Sequence, residues 1–300
     1  MAKPALHPQA FFTLLLVACL FAANHVAARV AFDHGMDVAS AVAVRSLATA
    51  FVVAGLALWA AAPWRMAPRH RRAMPAIGLL VGVQSLCLYS AVARIPVALA
   101  LLAFNTYPLW TALWARLLYR HRAERAVLLA MPVILVGLAL ALDAGGASSG
   151  IGARAQWAQI GAGVAFAVGA AAVFGLALVF TQHEVADLDG RVRTALTMAI
   201  VGVLALAGAL AQGGLRWPTA PAGWWGLALL TLFYGTGITT VFTLLPRLGV
   251  VANSPVLNVE PVASLVMAWI VLGQKIAPLQ VAGALLVVGA VTGLALRRRR

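Results

Sequence analysis

Two obligate charges stand deep inside long apolar runs of this chain, Arg45 and Glu260. Holding a charge near the centre of a bilayer costs roughly 2.5–3.5 kcal/mol on insertion scales, so each one requires a reason. Glu260 is an acid able to take up a proton or hold a substrate amine, and Arg45 offers a site for a carboxylate. The two residues could equally neutralise each other as a structural ion pair. Counting from the span ends at ~1.5 Å per residue, Arg45 lies about 10 Å below the outer surface and Glu260 about 12 Å above the inner one. In a hydrocarbon core of ~30 Å this leaves ~8 Å along the membrane normal, within reach of an extended arginine. Both readings stand, and a pair exchanged for substrate would satisfy both.

Uncharged polar groups gather in the same apolar runs. Asn24, His25, Gln84 and Asn105 lie within them, and Asn258 sits beside Glu260. Asn24 and Asn105 can hold a bundle together by hydrogen bonds across helices. His25 can carry a proton near neutral pH, or serve as a hydrogen-bonded packing residue. Tyr89, Tyr107, Trp110, Trp114 and Tyr234 can line a cavity, or act as packing and interfacial anchors. Pro108, Pro255 and Pro261 each remove a helical hydrogen bond and free a carbonyl. Such breaks are tolerated where neighbours or a water-filled cavity satisfy the backbone, and matched breaks in two halves point to a binding site. The candidate site therefore centres on the fourth and ninth apolar stretches.

The elements that must position these residues are membrane spans. Hydrophobic residues make up 63% of the 300 and charged residues only 10%, too few to cover a soluble protein of this size. Ten apolar stretches occur, at 10–31, 38–62, 73–93, 96–118, 126–143, 157–180, 193–212, 222–245, 252–272 and 277–296. With the amino terminus in the cytoplasm, 16 of the 22 Lys and Arg fall on the cytoplasmic side and five on the other. That bias is the positive-inside pattern of short loops. It accounts for the net charge of +14 without a nucleic-acid partner. Cys19 and Cys87 fall inside spans and pack as small apolar residues. The first stretch is too long for a signal-peptide core and carries Asn24 and His25.

The chain also echoes itself. Asn105-Thr106-Tyr107-Pro108 recurs 153 positions later as Asn258-Val259-Glu260-Pro261, and Arg94 precedes the first run as Arg247 precedes the second. The Gly- and Ser-containing segment 144–156 is the natural linker. The units are then 10–143 and 157–296, with residues 297–300 as a basic cytoplasmic tail. A unit of five crossings begins on one side and ends on the other, so its copy must be inverted, as alternating access requires. The expected fold is an all-α integral membrane protein, ten transmembrane helices in two inverted five-helix repeats. Gly161, Gly169, Gly175 and the Gly289-x-x-x-Gly293 motif are expected to let helices approach closely, with a homodimer seam on the last span as the alternative.

Enzyme motifs are weak. Gly146-Ala147-Ser148-Ser149-Gly150 matches the G-x-S-x-G pattern but lacks the strand-turn-helix context its nucleophile needs. His183-Glu184 lacks the second histidine of a zinc helix. No metal and no cofactor is expected.

The order and spacing of several short segments resemble the drug/metabolite transporter superfamily, in particular its EamA-domain members. Leu20-Phe21-Ala22-Ala23-Asn24-His25-Val26-Ala27 resembles the first-span motif, with Phe21-Ala22 in place of Trp-Gly. Arg45 stands at the usual second-span arginine, Pro108 and Pro261 at the proline of each repeat, and Glu260 completes the Glu-Pro form of the second. Leu272-Gly273-Gln274-Lys275 resembles the Leu-Gly-Glu turn with Gln274 replacing the acid, and Gly283 and Gly289 resemble the last-span glycines. The resemblance covers about residues 10–296. It implies ten helices, two inverted repeats, a central cavity and export of amino acids or similar amphiphiles. The expected function is secondary transport across the inner (plasma) membrane, with protons coupled through Glu260 and both termini cytoplasmic. Sugars, nucleotide sugars or drugs are the alternative solutes. An intramembrane lipid-modifying enzyme is the rival class, and a channel or scaffold a further one. The expected partners are a small-molecule solute, the lipid bilayer and protons.

Overall fold

The computed structural model describes residues 8–121, 125–143, 145–146, 150, 152–243, 259–274 and 277–297. Pro255 and Asn258, with Arg247, Ser148, Ser149, Lys3, Lys275 and the tail from 298 onward, lie outside the described residues. Among the described residues the chain forms eleven helices and no strand. Helices are the form that satisfies the backbone within the segment itself where no water is at hand.

The helices are α1 (Pro8–Asp33), α2 (Val38–Trp59), α3 (Pro68–Arg94), α4 (Val97–Phe104), α5 (Tyr107–Tyr119) and α6 (Arg125–Ala141). After the linker come α7 (Ala153–Glu184), α8 (Gly190–Ala211), α9 (Pro221–Thr243), α10 (Glu260–Leu272) and α11 (Pro278–Arg297). Each of the ten apolar stretches contains helix, and α4 with α5 fills the fourth. By length and apolarity α1, α2, α3, the α4–α5 pair, α7 and α8 suffice to cross a membrane. The described parts of α6, α10 and α11 are shorter apolar helices.

The main helix contacts between the halves are unchanged when the halves are exchanged. Matching α1, α2, α3, α5 and α6 with α7, α8, α9, α10 and α11 turns the extensive α1–α9 contact into α3–α7. It turns α3–α8 into α2–α9 and α5–α7 into α1–α10, while α2–α8 and α6–α11 map onto themselves. All of these contacts are present. The two copies are therefore interleaved around a pseudo-two-fold axis.

The faint sequence echo becomes close structural identity at α5 and α10. Both helices have 13 residues and begin 153 positions apart, with Pro108 and Pro261 in their first turns. There a missing N–H costs nothing, because the first turn has no helical acceptor for it. Both end in a left-handed residue, Arg120 at φ 55° and Gly273 at φ 62°. The N–H of Arg120 reaches the Ala115 carbonyl and that of Gly273 the Ala268 carbonyl, again 153 apart. In the first copy the break before α5 is Asn105–Thr106.

Small residues serve unequally. Gly137 on α6 and Gly283 on α11 mark the helix crossing, since a Cβ on Gly137 would lie 2.9 Å from the Gly283 carbonyl oxygen. Gly175 seats α7 against the backbone of α5 at Trp110 and Thr111. The expectation that Gly169, Gly289 and Gly293 serve close helix approach is not met within the chain, because a Cβ there would enter open space, and one on Gly161 would meet only its own helix at Trp157. Helix ends are fixed by side chains: Asp37 accepts the Ser40 N–H at 2.8 Å to start α2, and Asp189 accepts the Arg191 N–H at 2.9 Å to start α8.

Candidate functional site

A cavity of ≈510 Å³ lies where the two halves meet, with walls from α1, α2, α3 and the end of α4 and from α7, α8, α9 and α10. Most of its lining is apolar, yet it brings His25, Arg45, Gln84, Tyr89 and Glu260 together. A concave apolar space of this size with a few convergent polar groups suits a small organic ligand.

Arg45 is the organising residue, and only 2% of it is exposed. Two turns after the cap of α2, the helix turns Arg45 inward against α3. Its Nη1 donates to the Tyr89 hydroxyl at 2.8 Å and its Nη2 to the Ser85 hydroxyl at 3.3 Å. The Tyr89 hydroxyl in turn donates to Asn24 Oδ1 at 2.7 Å, which ties α1, α2 and α3 together. The guanidinium carbon stands 3.8 Å from the Tyr234 ring centroid and 4.6 Å from that of Tyr89. Two aromatic faces attract a desolvated cation, each by up to about 2 kcal/mol. Arg45 Nε is buried without a hydrogen-bond partner.

Glu260 opens α10, where the helix N-terminus favours a carboxylate. Its Oε1 lies 3.4 Å from Nε2 of His25, and its side chain is one quarter exposed. His25 Nδ1 has no hydrogen-bond partner, while the imidazole packs on the Tyr89 ring at 5.5 Å between centroids. The expected ion pair between Arg45 and Glu260 is not formed. Depth along the normal brought the two to similar levels, but azimuth around the bundle gives Glu260 to α1 and Arg45 to α3 and α9.

Other expected residues lie elsewhere. Asn105 donates from Nδ2 to the Leu101 carbonyl of its own helix at 2.8 Å, so it finishes α4 without facing the cavity. The Tyr107 ring packs between Phe104, at 5.7 Å, and Phe174, at 5.3 Å. Trp114 donates to the Ala172 carbonyl at 2.9 Å and joins α5 to α7. Pro108 and Pro261 are the first-turn residues already described, and Pro261 is buried.

Three cavity residues carried no signal of a site in the sequence. Ser85 is an ordinary small residue in an apolar run, and Met198 accepts a 3.4 Å contact from the Tyr234 hydroxyl. Arg193 counts by position as a loop cation, yet it sits within the first turn of α8 and lines the cavity. The Asp189 cap that starts α8 just before it is the one clue that Arg193 is helical.

At that end of the bundle the α7–α8 connection is tied to the start of α3. Asp187 meets Arg69 at 2.6 Å and His70 at 3.1 Å. Hydrogen bonding from Arg69 holds the Asp187 carboxyl below its ordinary value of 3.8. Arg191 does the same for Asp189. His70 Nδ1 also accepts the Ala67 N–H at 3.3 Å, so one imidazole caps α3 and holds the loop.

A solved structure, described only as the crystal structure of a protein, is similar to this chain with a TM-score of 0.63. It shares 18% identity over 97% of this chain and 99% of its own, a likeness that speaks for the fold alone. No curated protein matches the sequence. The pattern of the EamA-like transporter family matches twice, over residues 9–142 and again over 161–296, one match to each half of the pseudo-symmetric bundle. Members of that family are transporters of the drug/metabolite type and not enzymes. The chain accordingly belongs to the EamA-like transporter family, as a two-repeat, multi-pass membrane protein.

Proposed function

We propose that this protein is a secondary transporter that exports a small organic solute, an amino acid or similar amphiphile, by alternating access. In this reading all ten apolar stretches cross the plasma (inner) membrane, in inverted units 10–143 and 157–296 joined by 144–156. Both termini face the cytoplasm. The observation that carries the reading is the cavity between the halves, which holds a cation without an acidic partner among the described residues, Arg45, and an acid at a helix start, Glu260. Arg45 binds the carboxylate of the solute, and Glu260 exchanges a proton or an amine with His25 as its neighbour. Gln84, Tyr89 and Asn24 position Arg45 and the wall around it.

Counterflow tests this directly. Purified protein in liposomes is loaded with each of a panel of amino acids, amines and sugars, and exchange is followed with and without a pH gradient. Exchange of an amino-acid-like solute that responds to the gradient is the expected result. Conductance without solute exchange would make the protein a channel. A rate and pH response unchanged in Glu260→Gln would remove protons from the scheme.

A further inference from the structure

The two pseudo-symmetric seams of the bundle differ in one respect. On the α3–α8 seam Gly78 and Gly82 receive Ile200 and Leu204, whose side chains fill the space a Cβ would need, 2.7 and 2.6 Å away. That seam is interlocked. At the matching places on the α2–α9 seam stand Thr231 and Gly235 on α9 and Ala48 and Val52 on α2, all lining one groove. With Ala48 in the role of Ile200 and Thr231 in that of Gly78, the first knob and its hole are lost, and no side chain fills the space beside Gly235 as Leu204 does beside Gly82. A groove of ≈650 Å³ runs along the outer side there, from Trp224 to Thr240.

Most of the groove's lining is apolar, and two of its five threonines turn their hydroxyls back onto their own helices. Thr231 donates its hydroxyl to the Leu227 carbonyl and Thr49 to the Arg45 carbonyl, each at 2.8 Å within its own helix. Both therefore spend their hydroxyl hydrogens on the backbone. Val52 and Leu232 on the rim are half or more exposed, as lipid-facing residues are.

The partition between this groove and the central cavity is thin. On α2, Thr49 lines the groove and Arg45, one turn earlier, lines the cavity. On α9 the consecutive residues Gly235 and Tyr234 do the same. A Cβ on Gly235 would touch only Thr49 Oγ1, at 3.7 Å. Behind the partition is a guanidinium whose described partners are all neutral and whose Nε is unpaired. A buried cation without a counter-charge attracts an anion strongly, because its desolvation is otherwise uncompensated.

We propose that the α2–α9 seam is a side entrance from the bilayer for a fatty-acid-like amphiphile. Its hydrocarbon chain lies in the groove, and its carboxylate passes Thr49 and Gly235 to reach Arg45. The proposal rests on the reading of the central cavity as the solute site and narrows the solute to anions with a long apolar tail.

The test is photolabelling, which needs no turnover. The protein in phosphatidylcholine nanodiscs receives palmitate carrying a diazirine near its methyl end, or phosphatidylcholine carrying the same modified chain. After irradiation the adducts are mapped by mass spectrometry. Palmitate is expected to label 48–52 and 228–240 about tenfold over the interlocked seam at 78–82 and 200–204, a preference of about 1.4 kcal/mol. Unmodified palmitate should compete. Arg45→Met and Gly235→Val should each reduce the signal about fivefold or more, and Thr231→Leu replaces Gly235→Val if that variant does not fold. Equal labelling of both seams would overturn the proposal. So would undiminished labelling in the folded variants, or equal labelling by the phospholipid without competition. Specific labelling alongside absent counterflow, with palmitate added to the panel of solutes, would uphold the binding site and remove the transport reading.

Discussion

His25 on α1 and Glu260 on α10 meet across the boundary between the repeats, Nε2 to Oε1 at 3.4 Å. That separation is longer than a formed hydrogen bond of 2.7–3.2 Å, and Nδ1 of the same ring is unpaired. The pair can tighten or part with little structural cost. Glu260→Gln retains the shape and a polar contact but cannot exchange a proton. Transport in liposomes is expected to fall about tenfold or more and to lose its response to a pH gradient, a loss near 1.4 kcal/mol at the barrier. His25→Gln should leave a partial response, since Glu260 remains.

The Arg45–Tyr89–Asn24 chain predicts an order of stabilities opposite to that suggested by charge. Tyr89→Phe strips a donor from Asn24 Oδ1 and an acceptor from Arg45 Nη1, both buried. A cost of about 1–3 kcal/mol is expected for such orphaned groups. Arg45→Met removes a desolvated charge, replaces it with apolar bulk, and leaves the Tyr89–Asn24 bond in place. Exchanges of this kind are often neutral or stabilising. Thermal unfolding in detergent should therefore rank Tyr89→Phe below Arg45→Met, although the latter is expected to abolish uptake of anionic solutes.

The matched helix ends permit a reciprocal test. Arg120 occupies the left-handed region at φ 55° and Gly273 the same region at φ 62°. A side chain in that conformation costs roughly 1–2 kcal/mol that glycine avoids. Arg120→Gly is expected to raise the melting temperature and Gly273→Ala to lower it, each by several degrees. Equal and negligible shifts would mean that these ends carry no strain.

Asp187 supplies a pH dependence outside the membrane. With its folded carboxyl held below the ordinary 3.8 by Arg69, its contribution is complete above that range. It is lost as the pH falls through the lower folded value. Asp187→Asn should therefore melt below the wild type at pH 7, with the gap closing near pH 3. A gap that persists at low pH would assign the effect to shape and not to charge.

Much of the bundle was legible because helical periods and prolines act locally. Pro108 announced the break that the structure has at Asn105–Thr106, and the offset of 153 is also the offset between α5 and α10, whose matching end caps the echo did not reach. The cavity was half legible. Arg45, Glu260, His25, Gln84 and Tyr89 line one cavity, walled mostly by helices other than the fourth and ninth spans on which the sequence centred the site, because an intramembrane polar residue must face inward somewhere. Their pairing was not legible. Distance along a span gives depth alone, and whether Glu260 faces Arg45 or His25 depends on how α10 rotates against α1. Asn105 misled for a related reason: its amide is satisfied one turn away on its own helix, which composition does not reveal. Ser85 and Arg193 were invisible as site residues, since their roles come wholly from neighbours on other helices.

The contacts around Arg45 and His25 divide by repeat. Asn24, Ser85 and Tyr89 belong to its own repeat and would travel with it in any rigid rotation of the halves. Tyr234 and Glu260 belong to the other repeat, so within the pocket the Tyr234 lid over Arg45 and the Glu260 contact with His25 would have to part. The pocket thus has fixed hardware on one wall and two detachable latches on the other, so any relative turn of the repeats would register at those latches.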